Sequence, residues 1–72
     1  MVHIKRLLSD SYCVECDNVI VMKQIKEYLL EKEMGGFDKS NNKSALFHTN
    51  KVLKGVVNCC MLNGINFEVE FI

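Results

Sequence analysis

The chain lacks an excess of charge of one sign, a long apolar run and a phosphate-binding loop. Its 72 residues include nine Lys and Arg against nine Asp and Glu, so the formal net charge is zero. Domains that bind nucleic acid through phosphate contacts usually carry a basic excess, so no nucleic-acid partner is expected. No stretch approaches the roughly 20 apolar residues that span a bilayer. Gly35-Gly36 lacks the following Gly-Lys-Ser/Thr of a phosphate loop, and the scattered carboxylates indicate no conventional acid–base enzyme.

The composition is typical of one small globular domain, residues 1–72. Hydrophobic residues make up 49% of the chain. A core of this size has a thin margin of stability, so a bound metal or partner could contribute to folding. Lys5 and Arg6 interrupt the N-terminal apolar residues too early for a secretion signal. We therefore expect a cytoplasmic protein with reduced thiols and no membrane contact.

Two segments have the three- and four-residue apolar spacing of amphipathic helices. The first is capped by Asp17 or Asn18 and stops at Gly35-Gly36. The second is capped by Thr49 and ends at Asn63-Gly64. Side chains of Asp, Asn and Thr accept hydrogen bonds from free backbone N–H groups at a helix start, and glycine adopts the left-handed conformation at a helix end without strain.

Apolar residues that alternate with polar ones predict strands at Val2–Leu8 and 65–71, and a short apolar run predicts a strand at 45–48. The stretch 37–44 is polar and predicts a loop or a weak edge strand. In the last strand the acids face water, and the residues expected to face the core are Ile65, Phe67, Val69 and Phe71. The order predicts an α+β, ferredoxin-like βαββαβ fold with two helices on one face of a small, mainly antiparallel sheet.

Cys13-Val14-Glu15-Cys16 lies between the first predicted strand and the first predicted helix. Two thiols at this spacing on a loop can bind a soft ion such as Cu(I), supply half of a Zn(II) site, or exchange between dithiol and disulfide. The N-terminal end of the following helix is expected to lower their pKa. The alternative is a pair of buried cysteines without a chemical role.

Other candidate neighbours of the pair are few. Tyr12 directly precedes Cys13 and is expected either to cover the site or to be a core aromatic residue. His48 and Cys59 are candidate accessory ligands, and Cys59 is expected to be half exposed. Cys60 lies on the apolar row of the second helix and is expected in the core. Adjacent cysteines point about 100° apart on a helix, which disfavours a closed four-ligand zinc site.

The layout resembles the heavy-metal-associated domain of copper chaperones and metal-transporting ATPases. The shared features are the CxxC motif and a strand–helix–Gly–strand pattern from Leu46 to Val69. This resemblance implies a βαββαβ fold in which Cys13 and Cys16 bind Cu(I). The motif is also similar to that of glutaredoxins, whose fold normally requires a cis-proline facing the cysteines. This chain contains no proline.

Three functions follow as expectations, each with a protein as partner. The first is a Cu(I) chaperone or buffer, with Zn(II) as the other expected ion, that uses Cys13 and Cys16. The second is a protein-interaction module with incidental cysteines, in which Ile65–Ile72 pairs edge to edge with another chain. The third is a dithiol oxidoreductase of glutaredoxin type.

Overall fold

The computed structural model describes residues 1–7 and 11–71. Leu8, the predicted end of the first strand, lies outside the described parts, as do Ser9, Asp10, Ile72 and the side chain of Phe71. The elements in chain order are β1 (Val2–Arg6), β2 (Tyr12–Glu15), α1 (Val19–Glu31), β3 (Lys39–Ser40), β4 (Ser44–Phe47), α2 (Asn50–Leu62) and β5 (Phe67–Phe71).

The described strands form one mixed sheet of five strands in the order β3-β4-β2-β1-β5. The pairs β1–β2, β2–β4 and β3–β4 are antiparallel, and β1–β5 is parallel. The predicted α+β class, with two helices on one face of a mainly antiparallel sheet, is confirmed. The predicted weak strand is β3, which has only two residues.

β2 is a strand where the sequence predicted a loop. It pairs with β1 on one side and with β4 on the other, so it lies in the middle of the sheet. Within β2 the buried Tyr12 and Val14 alternate with the more exposed Cys13 and Glu15. Four residues give too short an alternation to distinguish a strand from a loop, and the cysteine spacing favoured the loop.

Asn18, and not Asp17, caps α1. Its Oδ1 accepts hydrogen bonds from the backbone N–H groups of Ile20 at 3.0 Å and Val21 at 3.2 Å. The helix ends at Glu31, earlier than the predicted stop at the glycines.

The predicted ends of α2 are confirmed. Thr49 Oγ1 accepts a hydrogen bond from the Val52 N–H at 3.2 Å. After Leu62, Asn63 forms the C-cap and Gly64 adopts a φ of 64°. α2 therefore starts and stops where its capping residues indicate.

The core lies between one face of the sheet and both helices. Because strand side chains alternate between faces, only every second residue of the central strands enters it. Its members are Val2, Ile4, Tyr12, Val14, Cys16, Met22, Ile25, Leu29, Ala45, Phe47, Val52, Val56, Cys59 and Cys60. Ile65 and Phe67 pack against it only partly, and Val69 remains 37% exposed. The helices therefore cover β5 less completely than the sheet centre.

The two helices approach each other closely at Gly55. A Cβ atom placed there would lie 2.4 Å from Leu29 Cδ2 and 3.0 Å from Met34 Sδ. Both distances are shorter than a normal van der Waals contact. The helix–helix approach therefore accounts for a glycine in the middle of α2, where it costs about 1 kcal/mol relative to alanine.

We expect Gly55→Ala to lower the free energy of unfolding by about 1 kcal/mol. Overpacking against the buried Leu29 costs about 1–3 kcal/mol, which exceeds the gain in helix propensity of about 1 kcal/mol. Urea denaturation measures the difference. Gly36→Ala is the control, since a Cβ there would meet no heavy atom within 4 Å. A Gly55→Ala protein as stable as wild type would contradict the close approach.

Candidate functional site

The two thiols of the predicted pair lie on opposite faces of the sheet. Cys13 is the second residue of β2 and pairs with Lys5 of β1 and Leu46 of β4. Cys16 directly follows β2, and its N–H donates to the Lys43 carbonyl at 2.8 Å, which continues the ladder. A step of three residues along extended backbone changes the face. The Cys16 side chain is therefore in the core, 4% exposed, whereas Cys13 is half-buried on the face opposite the helices.

This arrangement corrects the expected position of the pair. Cys13 lies within a strand and not on a loop, so the motif does not bring its two sulfurs together. Among residues 1–7 and 11–71, no group of three or more His, Cys, Asp or Glu side chains is placed to hold a metal ion. A shared metal would require the Cys16 side chain to leave the core.

The surroundings of Cys13 favour its protonated form. Burial raises the pKa of the Cys13 thiol, and the charge of Glu15 and a hydrogen bond to it raise it further. The thiol donates to Glu15 Oε1 at 3.6 Å, and this oxygen lies 3.7 Å from Lys5 Nζ. Lys5 opposes the shift without cancelling it. The expected lowering of the pKa by the helix terminus is therefore wrong for Cys13.

The remaining thiols belong to the core. Cys16, Cys59 and Cys60 are all free and buried. The expected burial of Cys60 is confirmed, and the expected half exposure of Cys59 is wrong, because its exposed fraction is 0%. Burial raises the pKa of Cys60 to about 11, with smaller contributions from Cys59 and Cys16. These side chains pack as small apolar residues.

Tyr12 and His48 have partners of their own. Tyr12 is buried on the helix side, where its ring stacks on Phe47 with centroids 5.1 Å apart. Its hydroxyl donates to Asn50 Oδ1 at 2.7 Å, so Tyr12 is a core aromatic residue and does not cover Cys13. His48 is exposed, and its Nδ1 lies 2.6 Å from Asp38 Oδ2.

The face of the sheet opposite the helices carries charged residues in rows across the strands. In one row, His3 of β1 pairs with Glu15 of β2 and Glu68 of β5. His3 Nδ1 lies 2.6 Å from Glu68 Oε1. In the next row, Lys5 pairs with Glu70 of β5. We call this surface the open face.

β5 is an edge of the sheet, and no strand among the described residues pairs with its outer side. The Val2 N–H donates to the Asn66 carbonyl at 2.9 Å. In a parallel pair, the peptide groups of successive residues point alternately toward the partner strand and away from it. Because the Asn66 carbonyl points toward β1, the even-numbered residues of β5 also bond to β1. The residues whose peptide N–H and C=O groups point outward are Phe67, Val69 and Phe71.

Comparison with known proteins gives no match, whether with family models, curated proteins or solved structures. In the described parts of the chain, neither helix has the length and apolar character needed to cross a membrane. The sequence indicates Ile65–Ile72 as the pairing segment of an interaction module. It did not indicate which peptide groups point outward, because that depends on the register with β1.

We expect iodoacetamide to alkylate Cys13 before the three buried cysteines in the native protein. Glu15→Gln should raise the rate at Cys13 severalfold near pH 8, since losing the carboxylate lowers the thiol pKa. Mass spectrometry with fragmentation of the tryptic peptides measures the rate at each site, since one tryptic peptide, residues 7–23, contains both Cys13 and Cys16. Glu27→Gln, on the exposed side of α1, is the control with the same charge change. Alkylation of Cys16 as fast as Cys13 would contradict the assigned faces.

We also expect the contribution of Cys60 to stability to fall as the pH rises. The unfolded thiol ionises near its ordinary value of 9.0, whereas the folded thiol keeps its proton until about 11. The unfolded state thus loses its proton first, and raising the pH through this window favours unfolding. The stability difference between wild type and Cys60→Ala should shrink by about 1–2 kcal/mol between about pH 8 and pH 10.5.

Urea denaturation at both pH values measures this difference. Asn58→Ala, at an exposed position of the same helix, is the control and should show no such change. A wild-type advantage over Cys60→Ala that stays constant with pH would show that the thiol is not held protonated by the core.

Proposed function

We propose that this protein is an interaction module that accepts an extended segment of a partner protein as an additional strand along β5. The observation that carries this proposal is a five-residue strand at the sheet edge with outward peptide groups. Unpaired N–H and C=O groups of an edge strand are a template for another chain. Main-chain hydrogen bonds then supply affinity, and contacts of alternate side chains supply specificity.

The side chains along β5 support the same surface. Val69 lies on the helix side of the sheet and is 37% exposed, while Phe67 is only partly buried. An incoming strand would cover this apolar margin and remove it from water, which favours association. The other edge strand, β3, has two residues and offers a much shorter ladder. β5 is therefore the better template.

This function assigns no chemistry to the cysteines, and we expect it to operate in the cytoplasm. The Cu(I) chaperone remains a prediction with less support, because Cys13 and Cys16 lie on opposite faces.

A two-thiol site requires that Cu(I) protects Cys13 from alkylation only in a chain that retains Cys16. Equal protection of wild type and Cys16→Ala would contradict such a site.

Val69→Pro should weaken strand addition and preserve the fold. The Val69 N–H points away from β1, so proline removes an outward donor and no hydrogen bond of the sheet. Proline is found on edge strands for this reason. Glu68→Pro is the contrasting variant, because it removes a bond to β1 and should lower the melting temperature.

Binding is measured with peptides of about ten residues selected by phage display on the immobilised wild-type protein. Each peptide is titrated against wild type, Val69→Pro and Val69→Ala, the last of which keeps the N–H. We expect about a tenfold loss of affinity for Val69→Pro, corresponding to about 1.4 kcal/mol for a lost hydrogen bond, and a smaller loss for Val69→Ala. Peptides that bind Val69→Pro as tightly as wild type would contradict the proposal.

A further inference from the structure

We infer that the segment accepted by β5 alternates apolar residues with Lys or Arg. This inference rests on the proposed function and specifies the partner for the same edge. It is argued from the two faces of β5, which differ in chemistry: carboxylates on the open face and apolar side chains on the helix side.

The carboxylates of β5 have basic neighbours on one side only. Glu68 Oε1 lies 2.6 Å from His3 Nδ1, and Glu70 pairs with Lys5 in the register of β1 and β5. Both glutamates are exposed. On the outer side of β5, an added strand would place every second side chain directly beside them, with Cβ atoms about 4.5–5.5 Å away.

Charge complementarity therefore selects basic residues for these positions. Opposite charges directly across two strands are stabilising, and like charges are destabilising. Lys or Arg beside Glu68 would extend a row that already alternates between acidic and basic residues, Glu15, His3 and Glu68. A basic residue beside Glu70 would extend the row of Lys5 and Glu70 in the same way.

The intervening residues of the added strand would lie on the helix side. There they would meet Val69, whose exposed fraction of 37% shows that the helices leave the margin of the sheet open. Apolar side chains at these positions cover that margin. Basic residues on the open face and apolar residues on the helix side thus alternate along the added segment with a period of two residues, which is the period of a strand.

The same carboxylates disfavour a second copy of this chain as the occupant. In a symmetric antiparallel pair of β5 strands, outward-pointing residues face each other, so odd positions meet odd positions and even meet even. With Val69 opposite Val69, Glu68 faces Glu70 of the second copy. With Val69 opposite Phe67, Glu68 faces Glu68. With Val69 opposite Phe71, Glu70 faces Glu70. Each of these registers places like charges opposite each other.

The test uses three capped synthetic peptides, Thr-Lys-Val-Lys-Val-Lys-Thr and its analogues with Gln or Glu in place of Lys. At low salt we expect the lysine peptide to bind wild type about three- to tenfold more tightly than the glutamine peptide, and the glutamate peptide to bind most weakly. Glu70→Lys should remove most of this preference. Glu27→Lys, on the exposed side of α1, changes the net charge equally and should leave the preference intact.

The outcomes separate this inference from the proposed function. If the three peptides bind equally and Val69→Pro weakens all of them, the edge is the site and the basic pattern is overturned. If Glu27→Lys acts as strongly as Glu70→Lys, net charge and not the edge attracts the peptide, which also overturns the inference. If neither these peptides nor display-selected ones distinguish wild type from Val69→Pro, the proposed function itself fails.

Discussion

The pleat of β2 determines the environment of most side chains discussed above. β2 is hydrogen-bonded to β1 and to β4, so each residue paired with a residue of β2 has its side chain on the same face of the sheet. Tyr12 and Val14 point toward the helices, and Cys13 and Glu15 point to the open face. A two-residue period cannot place positions 13 and 16 on one face of extended backbone. The separation of the two thiols and the charged rows of the open face both follow from this constraint.

The peptide groups and side chains of β5 determine where the edge can form hydrogen bonds and on which face it carries negative charge. Its hydrogen-bonding groups alternate between β1 and the outer side, while its side chains alternate between the apolar margin and the open face. The alternation of the hydrogen-bonding groups and the alternation of the side chains stay in step, since both have the two-residue period of a strand. The residues of β5 that carry carboxylates therefore have peptide groups that bond to β1. The residues with apolar side chains, such as Val69, have peptide groups that point to the outer side.

The helices and the fold class could be predicted from the sequence because their determinants are local. Asn18 and Thr49 cap helices through contacts two or three residues away, and apolar spacing fixes the buried face. β2 could not be predicted, since its four residues are defined by partners in β1 and β4. The apolar row of α2 correctly predicted the burial of Cys60 but not that of Cys59, which depends on distant residues because α2 packs against the sheet and against α1 at Gly55.

The pairing of β1 with β5 joins residues that are far apart in the chain, as the sequence separation of 65 between His3 and Glu68 illustrates. Closing so long a loop carries a large entropic cost, so this pairing is expected late in folding. During synthesis on a ribosome, β1 has no parallel neighbour until the residues of β5 have emerged. Through that interval the edge of β1, and not that of β5, is the free margin of the sheet. The strand edge offered to other chains would then carry His3 and Lys5, whereas the edge of the finished sheet carries Glu68 and Glu70.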